Sequence, residues 1–461
     1  MEADIYNHNI VLKNATQQVE ASLSKFLSYT DKSKAYQLRK MSKNAFMRAS
    51  PLYAKLKAEE SGTLFKKDAN NNILMPSGFS YLLEEMKISS NDFRKETGAK
   101  VVLPWVKKPY DLRDYQEDAV VLMENNWRGL INFATGLGKT LAAVHLIKRT
   151  KKRALVVCPS ESIASQFYDE LEAAFGKTKM GFYGDGVKKL GDITVGIAAS
   201  VNKDVAVFKA HDLGLIIVDE VHHVPATTFF NIAEGLSGVG KLFGLTATDF
   251  RSDGKDVMIT AGCGNVLIRR DIKWGVENGW LAAPYFIVRH VDTSAQRSYK
   301  GDKLKNYKSH VLNCQIMKDR IKNDIEAFIK AGKSVLCLVD EVAHGKELSV
   351  QLGIPFATGK DKKSQEYVNQ LNSGKIKCLS GTDGKVGEGT DTRNVDVLVL
   401  ANFVASKGPV TQAIGRGLRK QGTKTICMIL DYIPTGSEML ERHAWGRVDI
   451  YREITDKVKI V

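Results

Sequence analysis

Ala134-Thr135-Gly136-Leu137-Gly138-Lys139-Thr140 is the stretch of this sequence that says most about its fold. It follows the apolar run Gly129-Leu130-Ile131-Asn132-Phe133 and precedes a helical pattern from Leu141 to Lys148. A strand, a glycine-rich turn and a helix N-terminus are the setting in which backbone N–H groups surround a phosphate. The stretch therefore predicts a phosphate-binding loop at the edge of an α/β sheet.

Particular residues of this loop have expected roles. Lys139 would reach the β- and γ-phosphates of a nucleotide, and the hydroxyl of Thr140 would ligate Mg²⁺. The backbone around Thr135, Gly136 and Gly138 would surround the phosphates. The strict pattern opens with glycine, and Ala134 stands there instead. A plain glycine turn after a buried strand is the alternative, so the rest of the chain has to decide.

Composition limits the class of protein. The chain has 461 residues, a net charge of +15 and a pI of about 9.3. This length suggests two to four domains, and the basic excess points to nucleic acid as a partner. The six cysteines are widely spaced, which argues against a zinc site or a disulfide framework and for a reducing compartment. We expect no signal peptide and no membrane span, and hence a cytoplasmic protein.

A second strong signal is the apolar strand Leu215 to Val218, which leads into two carboxylates. Asp219 and Glu220 would lie at the carboxyl edge of a parallel sheet, where ligands bind. Asp219 would hold Mg²⁺ through water, and Glu220 would orient or deprotonate the attacking water. His222 would sense the γ-phosphate. Metal binding by His222 and His223 is the alternative, but adjacent side chains at a strand end point in opposite directions.

Weaker signals lie on either side of these motifs. The helix that begins near Leu112 carries Arg113 and Gln116, and a glutamine amide can read an adenine edge. Thr246 and Thr248 end the apolar strand from Leu242 and would link the nucleotide to a polymer track. An ordinary strand-to-loop turn is the alternative for this pair.

A second run of alternating strands and helices starts near Met317 and contains no phosphate loop. It does contain Gln412, Arg416 and Arg419. Because the two arginines are three residues apart, we expect them to share a helix face. Two guanidiniums on one face would stabilise charge during phosphoryl transfer.

Two basic stretches stand outside the α/β runs. Residues 32–57 contain eight Lys or Arg and no acidic residue, with aromatic residues between them. We expect nucleic-acid contact there, through Lys34, Arg39, Lys40 and Lys43, against the alternative of a solvated charged face. The second stretch, residues 297–310, is equally compatible with a polymer contact and with a flexible linker.

In order along the chain, these motifs resemble those of superfamily 2 helicases over residues 109–431. The resemblance implies two RecA-like parallel α/β domains that use ATP and Mg²⁺, with Arg416 and Arg419 as arginine fingers and Gln412 beside them. It implies that Gly389 and Asp391 couple to the nucleotide. It also implies contacts to the nucleic-acid backbone at Pro159, Ser160, Ser200 and Thr382. The expected domains are an α/β accessory domain (1–104), an ATP-binding domain (105–288), a basic connection (289–315) and a C-terminal helicase domain (316–461).

A narrower resemblance, carried by residues 219–226, 244–248 and 251–254, is to DNA-directed members of the superfamily. The N-terminal domain and the basic connection resemble phage recombination helicases of the UvsW type. This implies a monomeric helicase or translocase of forked, branched or double-stranded DNA, in the host-cell cytoplasm if phage-encoded, with recombination or replication proteins as further partners. An RNA helicase and the motor subunit of a nuclease complex stay open as alternatives.

Overall fold

The computed structural model describes residues 1–42, 44–247, 253–358, 361, 363–382, 392–403, 406–420 and 424–461, with the backbone alone at 45 and 46. Four of the predicted site residues lie outside the described residues: Lys43, Thr248, Gly389 and Asp391. The chain forms two compact units: Met1–Phe133 with Gly138–Arg269, and Ala134–Leu137 with Arg270–Val461.

The first unit begins with an accessory sheet of strand order β5-β6-β2-β1-β7. Its strands alternate buried and partly exposed residues, as in β2, where Ile10 and Leu12 face the core. The elements in chain order are β1 (Glu2–Ile5), β2 (Asn9–Lys13), α1 (Gln17–Phe26), β3 (Ser28–Thr30), α2 (Lys32–Met41), α3 (Ala45–Arg48), α4 (Pro51–Ala58), β4 (Ser61–Thr63), β5 (Lys66–Lys67), β6 (Ile73–Pro76), α5 (Tyr81–Glu85) and β7 (Ser89–Asp92).

Residues 28–63 form an excursion from this sheet, which we call the basic insert. Strands β3 and β4 pair antiparallel, with Ser28 opposite Thr63, so the insert leaves and returns at one place. Its helices α2 and α4 share a small core of Leu38, Met41 and Leu56.

The second sheet of this unit has the order β11-β10-β12-β9-β13-β14-β8-β15. From β10 to β8 all neighbours named in the pairing are parallel, and β9 and β13 are fully buried. The elements are α6 (Asp114–Asn125), β8 (Arg128–Phe133), α7 (Lys139–Thr150), β9 (Ala154–Cys158), α8 (Glu161–Phe175), β10 (Met180–Gly184), β11 (Val187–Lys189), β12 (Ile193–Ile197), α9 (Ala198–Lys203), α10 (Val205–Lys209), β13 (Leu215–Val218), α11 (Ala226–Gly235), β14 (Lys241–Thr246), α12 (Asp256–Cys263) and β15 (Val266–Arg270).

The second unit is built on a parallel sheet of order β18-β19-β17-β20-β21-β16-β22. Its elements are α13 (Ile272–Glu277), β16 (Ala283–Asp292), α14 (Lys303–Tyr307), a π-helix (Lys308–Leu312), α15 (Gln315–Lys330), β17 (Val335–Val339), α16 (Val342–Leu352), β18 (Phe356–Ala357), α17 (Ser364–Asn372), β19 (Cys378–Thr382), β20 (Val397–Ala401), α18 (Lys407–Gly417), β21 (Ile426–Thr435), α19 (Glu438–Ile454) and β22 (Val458–Ile460). The predicted α/β class with two parallel sheets is confirmed.

The stretch 289–315 differs from the connection that was expected. Strand β16 runs to Asp292 and pairs with β21 along its whole length. Val291, Tyr307 and Val311 are buried in the core of the second sheet. These residues are therefore part of the second unit, because their apolar side chains complete its core. In the described part of the chain, no helix has the length and apolar character needed to cross a membrane.

Candidate nucleotide site and nucleic-acid contacts

The phosphate-binding loop has the backbone geometry that its glycines predict. Gly136 and Gly138 have φ values of +93° and +79°, in the left-handed region that glycine tolerates. Gly138 is the N-cap of α7, so the loop leads directly into a helix N-terminus. A Cβ atom at Gly138 would lie 2.3 Å from Nε2 of Gln116. The amide of Gln116 therefore packs against the loop, and glycine is needed at 138 for two independent reasons.

Gln116 is buried in the first turn of α6, and its Oε1 accepts a hydrogen bond from the backbone N–H of Arg113 at 2.9 Å. Arg113 donates from Nη1 to the hydroxyl of Tyr115 at 2.9 Å. The structure thus fixes both residues beside the phosphate loop. Adenine recognition by Arg113 and Gln116 stays a prediction.

Lys139 and Glu220 form an ion pair. Nζ of Lys139 lies 3.0 Å from Oε1 of Glu220 and also donates to the carbonyl of Phe133 at 3.3 Å. Partial burial opposes ionisation of Glu220, but the charge and the hydrogen bond of Lys139 lower its pKa below the usual value. Glu220 also has a φ of +43°, a strained value of the kind that clusters at functional sites. The carboxylate is therefore ionised and held in place.

Asp219 lies beside this pair at the carboxyl end of β13. Burial and the negative charge of Glu220 raise its pKa to about 7. Oδ1 of Asp219 and Oε2 of Glu220 are buried and have no hydrogen-bond partner among the residues that the structure describes. Buried carboxylate oxygens left without a donor suit a hard cation and its water ligands. Asp219, with the hydroxyl of Thr140 in the first turn of α7, therefore fits Mg²⁺.

His222 connects two of the predicted motifs. Its Nδ1 lies 2.9 Å from Oγ1 of Thr246, at the end of β14. The backbone N–H of Val221 donates to the carbonyl of Leu245 at 3.1 Å, so the same two segments are also joined by main chain. These contacts join the segment after β13 to the end of β14. Coupling of the nucleotide to a polymer track through His222 and Thr246 stays a prediction.

In the second unit, Gln412 and Arg416 are buried on α18. The expectation that Arg416 and Arg419 share a helix face is wrong. Helix α18 ends at Gly417, and Arg419 forms a β-bridge with Leu281, which draws the chain away from the helix axis. Thr135 and Gly136 of the phosphate loop lie close to this segment. A Cβ atom at Gly415 would lie 2.9 Å from Thr135, and a Cβ atom at Gly136 would lie 3.0 Å from the side chain of Arg419.

The predicted nucleic-acid contacts have different settings. Ser160 is the N-cap of α8 directly after Pro159, Ser200 lies in α9, and Thr382 ends β19. In the basic insert, Arg39 and Lys40 are exposed, and Nζ of Lys40 lies 5.3 Å from the ring centre of Tyr36. Lys34 is instead paired with Glu59 at 2.5 Å. These positions stay predictions as contacts.

The basic insert is linked to the segment at the N-terminus of α12. Lys255, at the N-terminus of α12, lies 2.7 Å from Asp31, the N-cap of α2, and both side chains are buried. The backbone N–H of Lys32 donates to the carbonyl of Asp253 at 3.1 Å. No local pattern could reveal a pair separated by more than two hundred residues.

A protein-family model described as "Type III restriction enzyme, res subunit" matches residues 109–251. Rad25 of Halobacterium salinarum is 28% identical over 349 residues, which cover 73% of this chain and 56% of that protein. The DNA 3'-5' translocase XPB2 of Sulfurisphaera tokodaii is 29% identical over 369 residues, covering 70% and 82%. D10 of Escherichia phage T5, named as a helicase, is 26% identical over 380 residues, covering 80% and 81%. The chain thus spans about half the length of Rad25.

Solved structures show the same fold. A fragment of an HsdR subunit from Vibrio vulnificus covers 72% of this chain and 66% of its own length, with a TM-score of 0.53 and 22% identity. The restriction-modification enzyme LlaBIII covers 77% of this chain and 32% of its own length, with a TM-score of 0.57 and 17% identity. The narrower UvsW-type resemblance is not confirmed, because the sequence relatives carry other names. The two parallel sheets are RecA-like domains, and the chain is similar in sequence to proteins that are named as DNA helicases and translocases.

Proposed function

We propose that the chain is an ATP-dependent DNA helicase or translocase that remodels branched DNA, unwinding forks and moving Holliday-type junctions in phage replication, recombination or repair. The observation that carries the ATPase part is the cluster of Lys139, Asp219 and Glu220 at one sheet edge, with two buried carboxylate oxygens that have no donor among the described residues. The DNA part is supported by the similarity to Rad25 and XPB2, which are named as a DNA helicase and a DNA translocase, and by the net charge of +15.

ATP binding would exchange the partner of Lys139. Its ammonium leaves Glu220 for the β- and γ-phosphates, whose negative charge exceeds that of one carboxylate. Glu220, already ionised, is then available to orient and deprotonate the attacking water. Thr140 and Asp219 would hold Mg²⁺, which supplies neutralising charge between the phosphates. Backbone N–H groups at Thr135, Gly136 and Gly138 complete the cradle.

Arg416 and Arg419 would stabilise the charge that develops on the transferred phosphoryl group, with Gln412 as their neighbour on α18. Their fit to this role rests on the close approach of Gly415 and Arg419 to the loop residues Thr135 and Gly136, all within one compact unit. Gly389 and Asp391 are proposed as nucleotide-coupling residues on the resemblance alone.

Movement along DNA would use the contact between His222 and Thr246. Hydrolysis changes the surroundings of His222, and the hydrogen bond to Thr246 passes that change to the segment after β14. Backbone contacts at Pro159, Ser160, Ser200 and Thr382 would grip the track without reading sequence. The basic insert, through Arg39 and Lys40, would hold duplex or junction arms, with further recombination or replication proteins as partners of a monomeric enzyme.

The experiment is ATP-dependent unwinding of forked, four-way and linear DNA by the full chain, with ATPase stimulation by each DNA and by RNA of the same sequence. We expect the branched DNAs to be unwound and to stimulate hydrolysis most. Stimulation by RNA alone would replace the proposal with an RNA-dependent ATPase. Hydrolysis without unwinding, together with a nuclease that copurifies, would instead assign the chain as a motor subunit.

A further inference from the structure

Residues 297–308 of the second unit contain five basic residues and one acidic residue, Asp302. The basic residues, which we call the basic platform, are all exposed; they are Arg297, Lys300, Lys303, Lys305 and Lys308. A run of charge alone indicates no more than a solvated surface. The residues around this run give independent evidence that its conformation is fixed by buried hydrogen bonds.

The backbone of the platform is held in place by hydrogen bonds from the buried side chain of Asn306. Asn306 is 2% exposed; its Oδ1 accepts from the backbone N–H of Tyr299 at 2.8 Å, and its Nδ2 donates to the carbonyl of Tyr299 at 2.5 Å and to that of Asp302 at 2.9 Å. Asp302 also caps α14 by accepting from the N–H of Lys305. From the sequence alone, a flexible linker was an equally good interpretation of this stretch. These contacts replace it with an ordered turn.

A second set of buried contacts anchors the start of the turn. His310 is fully buried, with Nδ1 at 2.8 Å from Oγ1 of Thr293 and Nε2 at 2.9 Å from Oγ of Ser298. Ser298 in turn donates to the carbonyl of Gly436, just after β21. Both ends of the basic run are therefore tied to the core of the unit, so its cations need little ordering when a ligand binds.

Two of these cations make cation–π contacts with the ring of Tyr299. The guanidinium of Arg297 lies 5.2 Å from its ring centre, and Nζ of Lys305 lies 5.8 Å from it. On the neighbouring helix α19, burial lowers the pKa of His443, and the charges of Lys303, Arg442 and Arg447 lower it further. The acidic groups nearby are Asp302, paired with Lys305 at 3.3 Å, and Glu441, which accepts from the N–H of Gly436.

The position of the platform in the sheet also matters. It follows β16, whose last residue Asp292 pairs with Thr435 at the end of β21, so it lies at the carboxyl edge of an all-parallel sheet. Thr382, one of the proposed track contacts, ends β19 at the same edge. Four strand spacings separate β19 from β16, which is about 19 Å. Carboxyl edges are where such sheets bind their ligands.

We propose that the basic platform is a second DNA-binding site of the chain, which holds the phosphodiester backbone of the DNA track on the second unit. Phosphate is the ligand because the site offers several fixed cations and exposes no hydrophobic pocket among its described residues. The inference rests on the proposed action on DNA, and adds to it a specific surface outside the helicase motifs.

The test compares two variants of the full chain with equal loss of charge. The platform variant carries Arg297→Gln, Lys300→Gln, Lys303→Gln and Lys308→Gln. The control carries Lys330→Gln, Lys333→Gln, Lys375→Gln and Lys377→Gln, exposed residues of the same unit that precede β17 and β19 at the opposite sheet edge. Thermal unfolding of each variant checks the fold. The probe is labelled single-stranded and forked DNA, followed by fluorescence anisotropy from 50 to about 300 mM salt.

We expect the platform variant to lose about tenfold or more in affinity, and its log–log salt slope to fall by about 0.7 per lost contact on single strands. The control should lose less than about threefold. Tyr299→Leu should give a smaller loss, about two- to fivefold, because Arg297 and Lys305 lose the ring that holds them. Equal losses in the two quadruple variants, or an unchanged slope, would overturn the inference.

The proposed function fails differently. If the unaltered chain binds neither DNA probe and its ATPase ignores DNA, both proposals fall. If DNA binds and stimulates hydrolysis while the platform variant behaves like the control, only the platform falls. An affinity loss seen with RNA of the same sequence but not with DNA would also overturn the assignment to a DNA track.

Discussion

Nζ of Lys139 lies 3.0 Å from Oε1 of Glu220, so the lysine of the phosphate loop and the carboxylate after β13 form an ion pair. The pair satisfies two charges that would otherwise be partly buried and alone. It also sets the protonation of Glu220, whose pKa stays low through Lys139. The carboxylate of Glu220 is therefore charged beside the lysine.

Lys139→Ala should lower ATP hydrolysis by about 100-fold or more, because it removes a cation that contacts the transferring phosphate. Steady-state ATPase assays with forked DNA measure the loss. Lys177→Ala, an exposed lysine of the same unit, is the matched control and should keep the normal rate. A normal rate in Lys139→Ala would remove the phosphate loop from the site.

Glu220→Gln should bind ATP but hydrolyse it about 100- to 10,000-fold more slowly, since the amide cannot accept the proton of water. Binding is measured as the rise in melting temperature with ATP, and hydrolysis by phosphate release. Because glutamine keeps the size and the acceptor oxygen beside Lys139, the apo protein should melt close to the wild-type temperature. A wild-type hydrolysis rate would show that another group activates the water.

Gly138→Ala should destabilise the protein more than Gly186→Ala. Both glycines have φ values near +80°, but a Cβ at Gly186 meets nothing within 4 Å, while one at Gly138 meets Gln116. The control should cost about 1 kcal/mol from backbone strain alone. Equilibrium unfolding in urea measures both, and adding Gln116→Ala to Gly138→Ala should recover part of the difference. Equal costs would mean that Gln116 does not restrict the loop.

Thr246→Val should separate hydrolysis from unwinding, because it removes the hydroxyl that bonds His222 and keeps the shape of the side chain. We expect ATPase within about threefold of wild type and unwinding reduced by tenfold or more. Thr194→Val, a buried threonine of β12, is the control for placing valine in the same sheet. Parallel loss of both activities would point to a role in hydrolysis instead.

The ion pair of Asp31 and Lys255 should make stability depend on pH. Burial raises the pKa of Asp31, but the bond to Lys255 and the backbone donors at α2 outweigh it, so its folded pKa is lowered. A lowered folded pKa gives stability that is present above the unfolded value, about 3.9, and is lost as the pH falls through the folded value.

Unfolding of wild type and Asp31→Asn should therefore differ by a constant amount from pH 7 to about pH 5. The difference should shrink below about pH 4. Exposed Asp111, whose pKa is lowered by Lys108, serves as a control, and Asp111→Asn should change stability little at any pH. A difference between wild type and Asp31→Asn that does not begin to shrink as the pH falls below about 4 would contradict the role of the charge.

Local patterns predicted what local interactions determine. The uninterrupted apolar runs of β9 and β17 are fully buried, because strands of this composition are covered on both faces of a parallel sheet. The phosphate loop and the carboxylates of β13 were found because their chemistry needs fixed residue types at fixed spacing. The structure then added the pair of Lys139 and Glu220, whose members are 81 residues apart.

The predictions failed where contacts with segments distant in sequence determine the local structure. Arg419 leaves the helix of Arg416 because Leu281, far away in sequence, pairs with it. Val291 lies in the core of the second unit and not in a connection, because its strand β16 pairs with β21. In each case the local sequence permits the expected element, and a partner elsewhere in the chain stabilises another.

The pairing of Ser28 with Thr63 has an evolutionary consequence. An excursion whose two ends meet can be lengthened, exchanged or cut back to a short turn without moving the strands that flank it. The basic insert has a hydrophobic core separate from that of the sheet. Substitutions in its helices can therefore change the surface proposed to contact DNA without changing the sheet. Asp31 and Lys32 are the exception, because they contact the segment around Lys255. An exchanged insert would have to keep these two residues to preserve that contact.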